Sequence, residues 1–473
     1  MRQLAALLIL AASAATACAQ SYTPVRESPP PLAREFRGAW IATVHNIDWP
    51  SSKGLSASSQ QAELRSMLDK LAALKINAVM FQVRPQCDAL YRSAREPWSP
   101  FLTGVMGRSP GYDPLEFCIR EAHARGIEVH AWFNPFRALC NAAQPASGNH
   151  VSRAAPHLTK RYGSLVWCDP SLPESRNRAL AAILDVVERY DVDGIHLDDY
   201  FYPYPEGGRS FPDGRSPAQR RASVDSFVSG LYKSVKSRKP WVRVGISPFG
   251  IWRPGVPAGI EAGVDAYEHL AGDSRKWLAK GWVDYLAPQL YWRISPQRQS
   301  FPALLSWWRD QGRRPVWPGI ATSRIQSSDD PGRPASEIIN QIDLSRRIKS
   351  TSHGHLHWSA KSLTTNRGGI ATKLASAYTQ PAAVPPMPWA GGRAPAPPGV
   401  GASLDGPTTS VRWVPDSSTA WVAVQVRSGN SWRTAKIARA GAQRTTVPRA
   451  DAIAVTALDR FGNASKPKVL GLR

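Results

Sequence analysis

Two aspartates stand side by side at the end of the run Asp193-Gly194-Ile195-His196-Leu197-Asp198-Asp199-Tyr200. The apolar run stops at this pair, which therefore lies where a short strand gives way to its loop. Two carboxylates in one cleft repel each other, which raises the proton affinity of one and leaves a proton donor beside an anion. Such a pair suits general acid–base chemistry. In an extended strand neighbours point to opposite faces, so His196 and Asp198 share one face and Asp199 takes the other, unless the strand end twists into its loop. The structural alternative is a capped turn, or an ion pair with Arg84 or Arg137. Asp193 differs, because with Gly194 it forms the turn that opens the strand.

Other polar groups appear where further β-rich runs stop: Arg84 and Asp88, Asn134 and Arg137, Ser247, and Gln289 and Tyr291. Eight such runs, at 36–44, 76–84, 127–135, 192–201, 242–250, 283–292, 315–324 and 355–363, alternate with helical patterns. The clearest helical pattern spans 176–190, where Leu180, Ile183, Leu184 and Val187 recur at helical spacing behind Pro173-Glu174. Repeated βα units over residues 34–378 predict an α/β fold, a closed (β/α)8 TIM barrel whose strand C-termini build the site. Long loops after strands one, three, four and five fit that placement. Residues 379–400 are rich in Pro and Gly and read as a stiff linker. Residues 401–473 alternate polar and apolar in short runs, as in a small all-β sandwich of fibronectin type III-like type. A chain ending near Tyr378 is therefore expected to fold by itself.

The 473 residues hold 59 Lys and Arg against 36 Asp and Glu, a net charge of +23, so the surface attracts polyanions. The basic residues are scattered and no zinc-finger or RNA-recognition signature appears, so no nucleic-acid partner is expected. Arg2 precedes an apolar run from Leu4 to Ala15 and small residues up to Ala19, which reads as a signal peptide over 1–19. Ala15-Thr16-Ala17-Cys18 also resembles a weak lipobox, which makes Cys18 a candidate lipid anchor. The body is then expected outside the cytoplasmic membrane, in the periplasm or envelope. Cys140 and Cys168 flank one long loop and are the candidate disulfide there, whereas Cys87 and Cys118 read as buried small hydrophobes. Eighteen Trp suggest sugar stacking, with core packing as the alternative for each.

Six stretches are recognisable in order: Arg37-Gly38-Ala39-Trp40-Ile41-Ala42-Thr43-Val44, Gln82-Val83-Arg84-Pro85, His130-Ala131-Trp132-Phe133-Asn134-Pro135, His196 to Pro205, Gly245 to Arg253, and Ala287-Pro288-Gln289-Leu290-Tyr291-Trp292. Together they resemble the glycosyl hydrolase-like 10 family over roughly residues 34–378. The resemblance implies a barrel glycoside hydrolase of the bacterial envelope. One branch of that family acts on peptidoglycan strands stripped of their peptides, which makes a polysaccharide, peptidoglycan glycan in particular, the expected substrate. No cofactor is implied. Asp198 and Asp199 are the expected catalytic residues, and Arg84, Asp88, Trp132, Asn134, Arg137, His196, Tyr200, Trp252, Gln289, Tyr291 and Trp292 the expected substrate-binding set.

By analogy with barrel hydrolases that cut beside N-acetylated sugars, Asp198 would orient the acetamido group. Asp199 would be acid and then base, and Tyr291 would hydrogen-bond the acetamide. His196 and Tyr200 depart from chitinase-like motifs, which carry Asp and the acidic Glu there. A two-carboxylate scheme would instead pair Asp199 with Asp88 across the cleft. Two rival classes are a metal-dependent polysaccharide deacetylase or hydrolase using His130, His196 and Asp198, and a glycan-binding protein without turnover.

Overall fold

The computed structural model describes residues 21–473; the expected signal peptide over 1–19 and the candidate lipid anchor Cys18 lie outside the described residues. Strand β1 (Tyr22–Pro24) comes first, followed by β2 (Phe36–Ile41), β3 (Ala78–Arg84) and β4 (Glu128–Phe133). Three short strands, β5 (Arg137–Leu139), β6 (Thr159–Tyr162) and β7 (Leu165–Cys168), lie within the next loop. Then come β8 (Gly194–Leu197), β9 (Arg243–Ile246), β10 (Tyr285–Leu286), β11 (Gly319–Ile320) and β12 (Gly354–His357). Apart from β1 and the loop insertion, these are the eight expected strands, the last starting one residue early. They pair in parallel in the order β10-β9-β8-β4-β3-β2-β12-β11. The two edges also meet, through parallel bridges from Leu286 to Val316 and from Gln289 to Gly319, so the sheet curls back on itself.

Each strand is followed by a helix. Helix Pro173–Arg189, between β4 and β8, buries Ala179, Ile183, Val186 and Val187. Helix Pro217–Arg238, after β8, opens on a capping box in which the Ser216 side chain accepts from Gln219 N and the Gln219 side chain accepts from Ser216 N. The apolar core between sheet and helices is continuous. The inside of the curl is different, being filled by Phe36, Trp40, Trp132, Tyr285 and Trp317. Glycines make the room: a Cβ on Gly245 would lie 1.9 Å from the Tyr285 ring, and one on Gly194 would lie 2.5 Å from His130. Large rings against absent side chains reach crystal-like packing where branched residues alone would leave gaps.

The remaining strands are β13 (Gly399–Asp405), β14 (Thr408–Val414), β15 (Trp421–Ser428), β16 (Ser431–Arg439), β17 (Arg444–Pro448), β18 (Ala452–Leu458) and β19 (Lys468–Leu472). They form two antiparallel sheets, β13-β14-β17 and β1-β19-β18-β15-β16. The alternating pattern of the C-terminal residues explains this all-β region. It does not reveal that β1 completes one edge, with Tyr22 Oη donating to Ala450 O at 2.5 Å.

The expected linker does not run free. Ala382, Ala383 and Met387 are buried. Asn77 Nδ2 donates to Ala382 O at 2.8 Å, Arg243 Nη2 to Pro385 O at 2.6 Å, and Trp389 Nε1 to Asp284 Oδ1 at 2.9 Å. Proline fixes the backbone without needing a partner for its missing N–H, so a Pro-rich strap packs well against polar side chains at the N-terminal end of the sheet. The cysteine expectation also changes. Cys168 Sγ lies 3.6 Å from Cys87 Sγ rather than against Cys140, because β7 folds back toward the loop after β3.

Candidate active site

β8 ends at Leu197, so Asp198 and Asp199 stand just beyond the pairing and fan out along the rim in opposite directions. Asp198 turns toward β4. Its Oδ2 accepts from Trp132 Nε1 at 3.2 Å and from Asn134 Nδ2 in a short contact, and its Oδ1 accepts from Tyr200 N at 3.2 Å. Asp199 turns the other way, accepting from Gln289 Nε2 at 3.0 Å and from Tyr204 Oη in a short contact. The two carboxylates thus turn to opposite sides, as alternation requires, yet stay close enough for the charge of Asp198 to raise Asp199.

Both carboxylates are nearly buried. Burial pushes Asp199 up to about 7, with the neighbouring charge of Asp198 adding to the rise. Asp198 is also raised by burial, against the opposing pull of Arg137 and its hydrogen bonds. The charge of Asp198 thus favours a proton on Asp199, which suits Asp199 to serve as the acid of the pair.

Asp198 is held by a chain that begins at the backbone. Thr43 N and Val44 N each donate to Gln82 Oε1 at 2.9 Å, which fixes the amide so that Gln82 Nε2 donates to Asn134 Oδ1 at 2.7 Å. The Asn134 amide must therefore present its nitrogen to Asp198. Gln82 was not among the expected site residues, although its place at the end of β3, within a recognised motif, was a usable signal. Tyr204 and Trp358 were missed as well. Trp358 is half-buried just past β12, and its ring meets the edges of Trp40 and Trp132 at 6.1 Å each. A lone aromatic after a short strand gave no chemical signal in the sequence.

Several expected residues lie elsewhere. Arg84 is buried and paired with Glu96 through Nε at 2.6 Å and Nη2 at 2.5 Å, while Nη1 donates to Asn134 O and Pro135 O. It supports the loop that carries Asn134 and does not face the cleft. Asp88 is fully buried, raised by that burial to about 6, and accepts from Gln86 N at 3.0 Å. Its carboxylate is enclosed by its own loop, which removes it as an acid facing Asp199.

His196 is also interior. Trp40 Nε1 donates to His196 Nε2 at 3.0 Å, so the proton of this ring sits on Nδ1, facing Tyr285 Oη at 3.0 Å. Tyr285 Oη then donates to His130 Nδ1 at 2.9 Å. Burial holds the His196 pKa well below its ordinary value, so the ring is neutral. With these nitrogens engaged, His130 and His196 offer no converging lone pairs to a metal beside Asp198. Among the described residues no group of three His, Cys, Asp or Glu side chains is arranged to hold an ion.

Around the pair, Tyr200 is half-buried, lies edge-on to Tyr204 at 5.4 Å, and carries the Arg137 guanidinium 5.2 Å from its ring centroid. Arg137 Nε donates to Pro85 O at 2.8 Å, and its two terminal nitrogens meet no protein partner among the described residues. Tyr291 is half-buried, and burial beside Asp199 raises its pKa well above the ordinary value. Trp292 is one ring removed, meeting Phe249, which meets Tyr204. Trp252 belongs to a separate cluster with Trp307, Tyr267 and Arg253.

A model of the family described as glycosyl hydrolase-like 10 matches residues 35–331. Glycosyl hydrolase YngK of Bacillus subtilis (strain 168) is 41% identical over 385 residues, covering 76% of this chain and 75% of that protein. Glycosyl hydrolase DigH of Escherichia coli (strain K12) is 34% identical over 392 residues, covering 73% of this chain and 89% of that protein. Among solved structures, the PgaB (BpsB) glycoside hydrolase domain from Bordetella bronchiseptica aligns over 73% of this chain and 98% of that one, with 11% identity and a TM-score of 0.46.

Proposed function

The chain belongs to the glycosyl hydrolase-like 10 family, and on that premise we propose that it is a glycoside hydrolase working through Asp198 and Asp199 at the rim of a (β/α)8 barrel. One observation carries the reading: adjacent carboxylates in different settings, Asp198 bound by Trp132 and Asn134, Asp199 raised to about 7. Pairs of carboxyl groups whose proton affinities are pushed apart divide the roles of acid and anion between them.

In the reaction we infer, the substrate's own acetamido oxygen attacks the anomeric carbon. Asp198 receives the acetamide N–H and stabilises the charge that develops there. Asp199 gives its proton to the leaving glycosidic oxygen, and the C–O bond breaks. Asp199 then takes a proton from the water that opens the cyclic intermediate. Tyr291, whose hydroxyl meets no protein partner among the described residues, reaches the acetamide oxygen. The half-buried Trp358, backed edge-on by the buried Trp132, supplies the apolar floor on which a sugar ring stacks.

The substrate in this reading is cell-envelope glycan, peptidoglycan strands without stem peptides. Every sugar of that polymer carries the acetamido group the mechanism needs, and its exposed lactyl carboxylates suit a chain of net charge +23. The N-terminal signal supports export to the periplasm or envelope. The C-terminal strands read as a fibronectin type III-like module, supported by the split of β13-β14-β17 from β19-β18-β15-β16.

The test is to incubate the protein with intact peptidoglycan, amidase-stripped glycan and chitin oligomers and to identify products by mass. Cleavage of stripped glycan and inhibition by a cyclic thiazoline are expected. Efficient cleavage of a glycan lacking acetamido groups would overturn the assisted mechanism, and no cleavage of any of the three would overturn the assignment as an envelope glycan hydrolase.

A further inference from the structure

Two thiols stand together beside the site with no part in the chemistry above. Cys87 lies in the loop after β3 and Cys168 ends β7, and their sulfurs are 3.6 Å apart. Both side chains are buried, and Cys118 and Cys140 stand outside this contact. A disulfide requires about 2.05 Å between sulfurs, so a closure of about 1.5 Å through the two side-chain torsions separates this contact from a bond.

We propose that Cys87 and Cys168 form the disulfide of this protein, joining the loop after β3 to the hairpin after β4. In forming it the two thiols give up two electrons and two protons to a disulfide-class oxidant such as oxidised glutathione, which leaves as two thiols. The order of attack is set by the surroundings. Arg84 Nη2 lies 3.2 Å from Cys87 Sγ, so a cation supports the thiolate there. Cys87 is therefore the sulfur that attacks the oxidant and is first held in a mixed disulfide, releasing one thiol, and Cys168 then attacks Cys87 and releases the second.

The bond would act on the walls of the cleft. Arg137 Nε is anchored on Pro85 O, two residues before Cys87. Cys168 N donates to Phe136 O at 2.7 Å, and the neighbouring Trp167 Nε1 donates to Phe201 O at 3.0 Å. One cross-link thus fixes the segments bearing Asn134, Arg137 and the loop of the aspartate pair. Because both sulfurs are buried, oxidation accompanies folding and does not occur readily on the folded chain. The inference is independent of the glycan.

The full chain is unfolded, refolded in a glutathione redox buffer, trapped with iodoacetamide under denaturing conditions and mapped by peptide mass. A single cross-linked peptide pair holding residues 87 and 168 is expected, with Cys118 and Cys140 alkylated. Cys140→Ser should leave the cross-link in place, whereas Cys87→Ser and Cys168→Ser should abolish it. The thermal midpoint of the oxidised wild type should exceed that of the reduced form by several degrees. That gap should vanish in Cys168→Ala, which keeps the site apolar if serine proves too disruptive. Alkylation of both Cys87 and Cys168 after oxidative refolding, or a cross-link to Cys140, would overturn the proposal.

Discussion

Strand β8 has an aspartate at each end, and the protein treats them oppositely. Asp193, just before the strand, accepts from Val129 N at 2.9 Å and pairs with His123 at 2.7 Å, with Arg439 of the C-terminal module nearby. Burial alone would raise it, but the charges and hydrogen bonds around it win and bring it down to about 2. Asp199, six positions on, is raised to about 7 by burial and by Asp198. At the first end of the strand the charge is stabilised by its partners, and at the second it is held in an unfavourable state. The same division runs through the molecule. Glu35, Arg37 and Arg346 close ion pairs at the N-terminal end of the sheet, while the terminal nitrogens of Arg137 at the other end are unpaired among the described residues.

The strongest way to break the comparison is to neutralise each aspartate in turn. Asp199→Asn and Asp198→Asn should each lose at least about a hundredfold in kcat, the scale of removing an acid–base group, and remain folded by circular dichroism. Asp193→Asn should do the reverse, keeping kcat while lowering stability by about 3 kcal/mol, because it removes the buried acceptor that holds Val129 N and His123 and faces Arg439. Denaturant unfolding and steady-state rates measured on the same samples separate the two. If Asp193→Asn lost turnover at full stability, the division between the two ends would be wrong.

Removing the C-terminal module sharpens the stability side. Ending the chain at Tyr378 strips the strap from Asn77, Arg243 and Asp284, and leaves β1 without its neighbour β19. The truncated chain should be largely insoluble or unfold well below the full protein, against the sequence expectation of independent folding. A soluble, fully active truncation would show that these contacts contribute little.

All eight strands were legible because each is a short apolar run closed by turn residues, a local signal. The aspartate pair was legible for the same reason, as two charges at the end of such a run. What escaped detection depends on distant partners. Nothing near Arg84 announces that Glu96 will neutralise it, and nothing near His196 announces that Trp40 and Tyr285 will occupy its nitrogens. The proline content of 379–400 predicts a stiff linker, but it does not reveal that the segment packs on Asn77, Arg243 and Asp284, because where such a segment lies is set by the distant polar groups it meets. Tyr22 could not be assigned to the sandwich, since its partner strand comes at the far end of the sequence.

The pH dependence of stability separates the two aspartates with a smaller effect. The folded-state affinity of Asp199 is raised above its unfolded value near 4, so its ionisation costs stability progressively as pH rises from about 4 to about 7. Asp199→Asn should therefore melt several degrees higher than wild type at pH 8 and close to it at pH 4. Asp193 has the opposite sign: its contribution is present above about pH 4 and is lost as pH falls toward 2. Melting curves across that range check both, and equal melting of Asp199→Asn and wild type at pH 8 would mean that the pair carries no stored cost.

The smallest effect concerns Arg137, and it tests whether the unpaired cation serves recognition. Of the arginines at the strand C-termini, Arg84 is buried and spent on Glu96, and Arg253 lies 3.2 Å from Asp265 and 3.4 Å from Glu268. Arg137 keeps two terminal nitrogens with no protein partner among the described residues, beside Asp198 and over Tyr200. A planar guanidinium with both terminal nitrogens available binds a carboxylate through paired charge-assisted bonds, which a lysine cannot reproduce. Arg137→Lys should therefore lower kcat/KM on stripped peptidoglycan about tenfold, the worth of one such hydrogen bond, and leave neutral chitin oligomers within about twofold. Removing the cation in Arg137→Ala should also raise Asp198 further, moving the acidic limb of the rate profile upward on both substrates. Added salt should narrow the wild-type preference for the anionic polymer, since part of it comes from long-range attraction that a Debye length of about 8 Å at physiological ionic strength screens. Equal losses on both substrates in Arg137→Lys would make Arg137 a support for Asp198 and Tyr200, with no part in choosing the glycan.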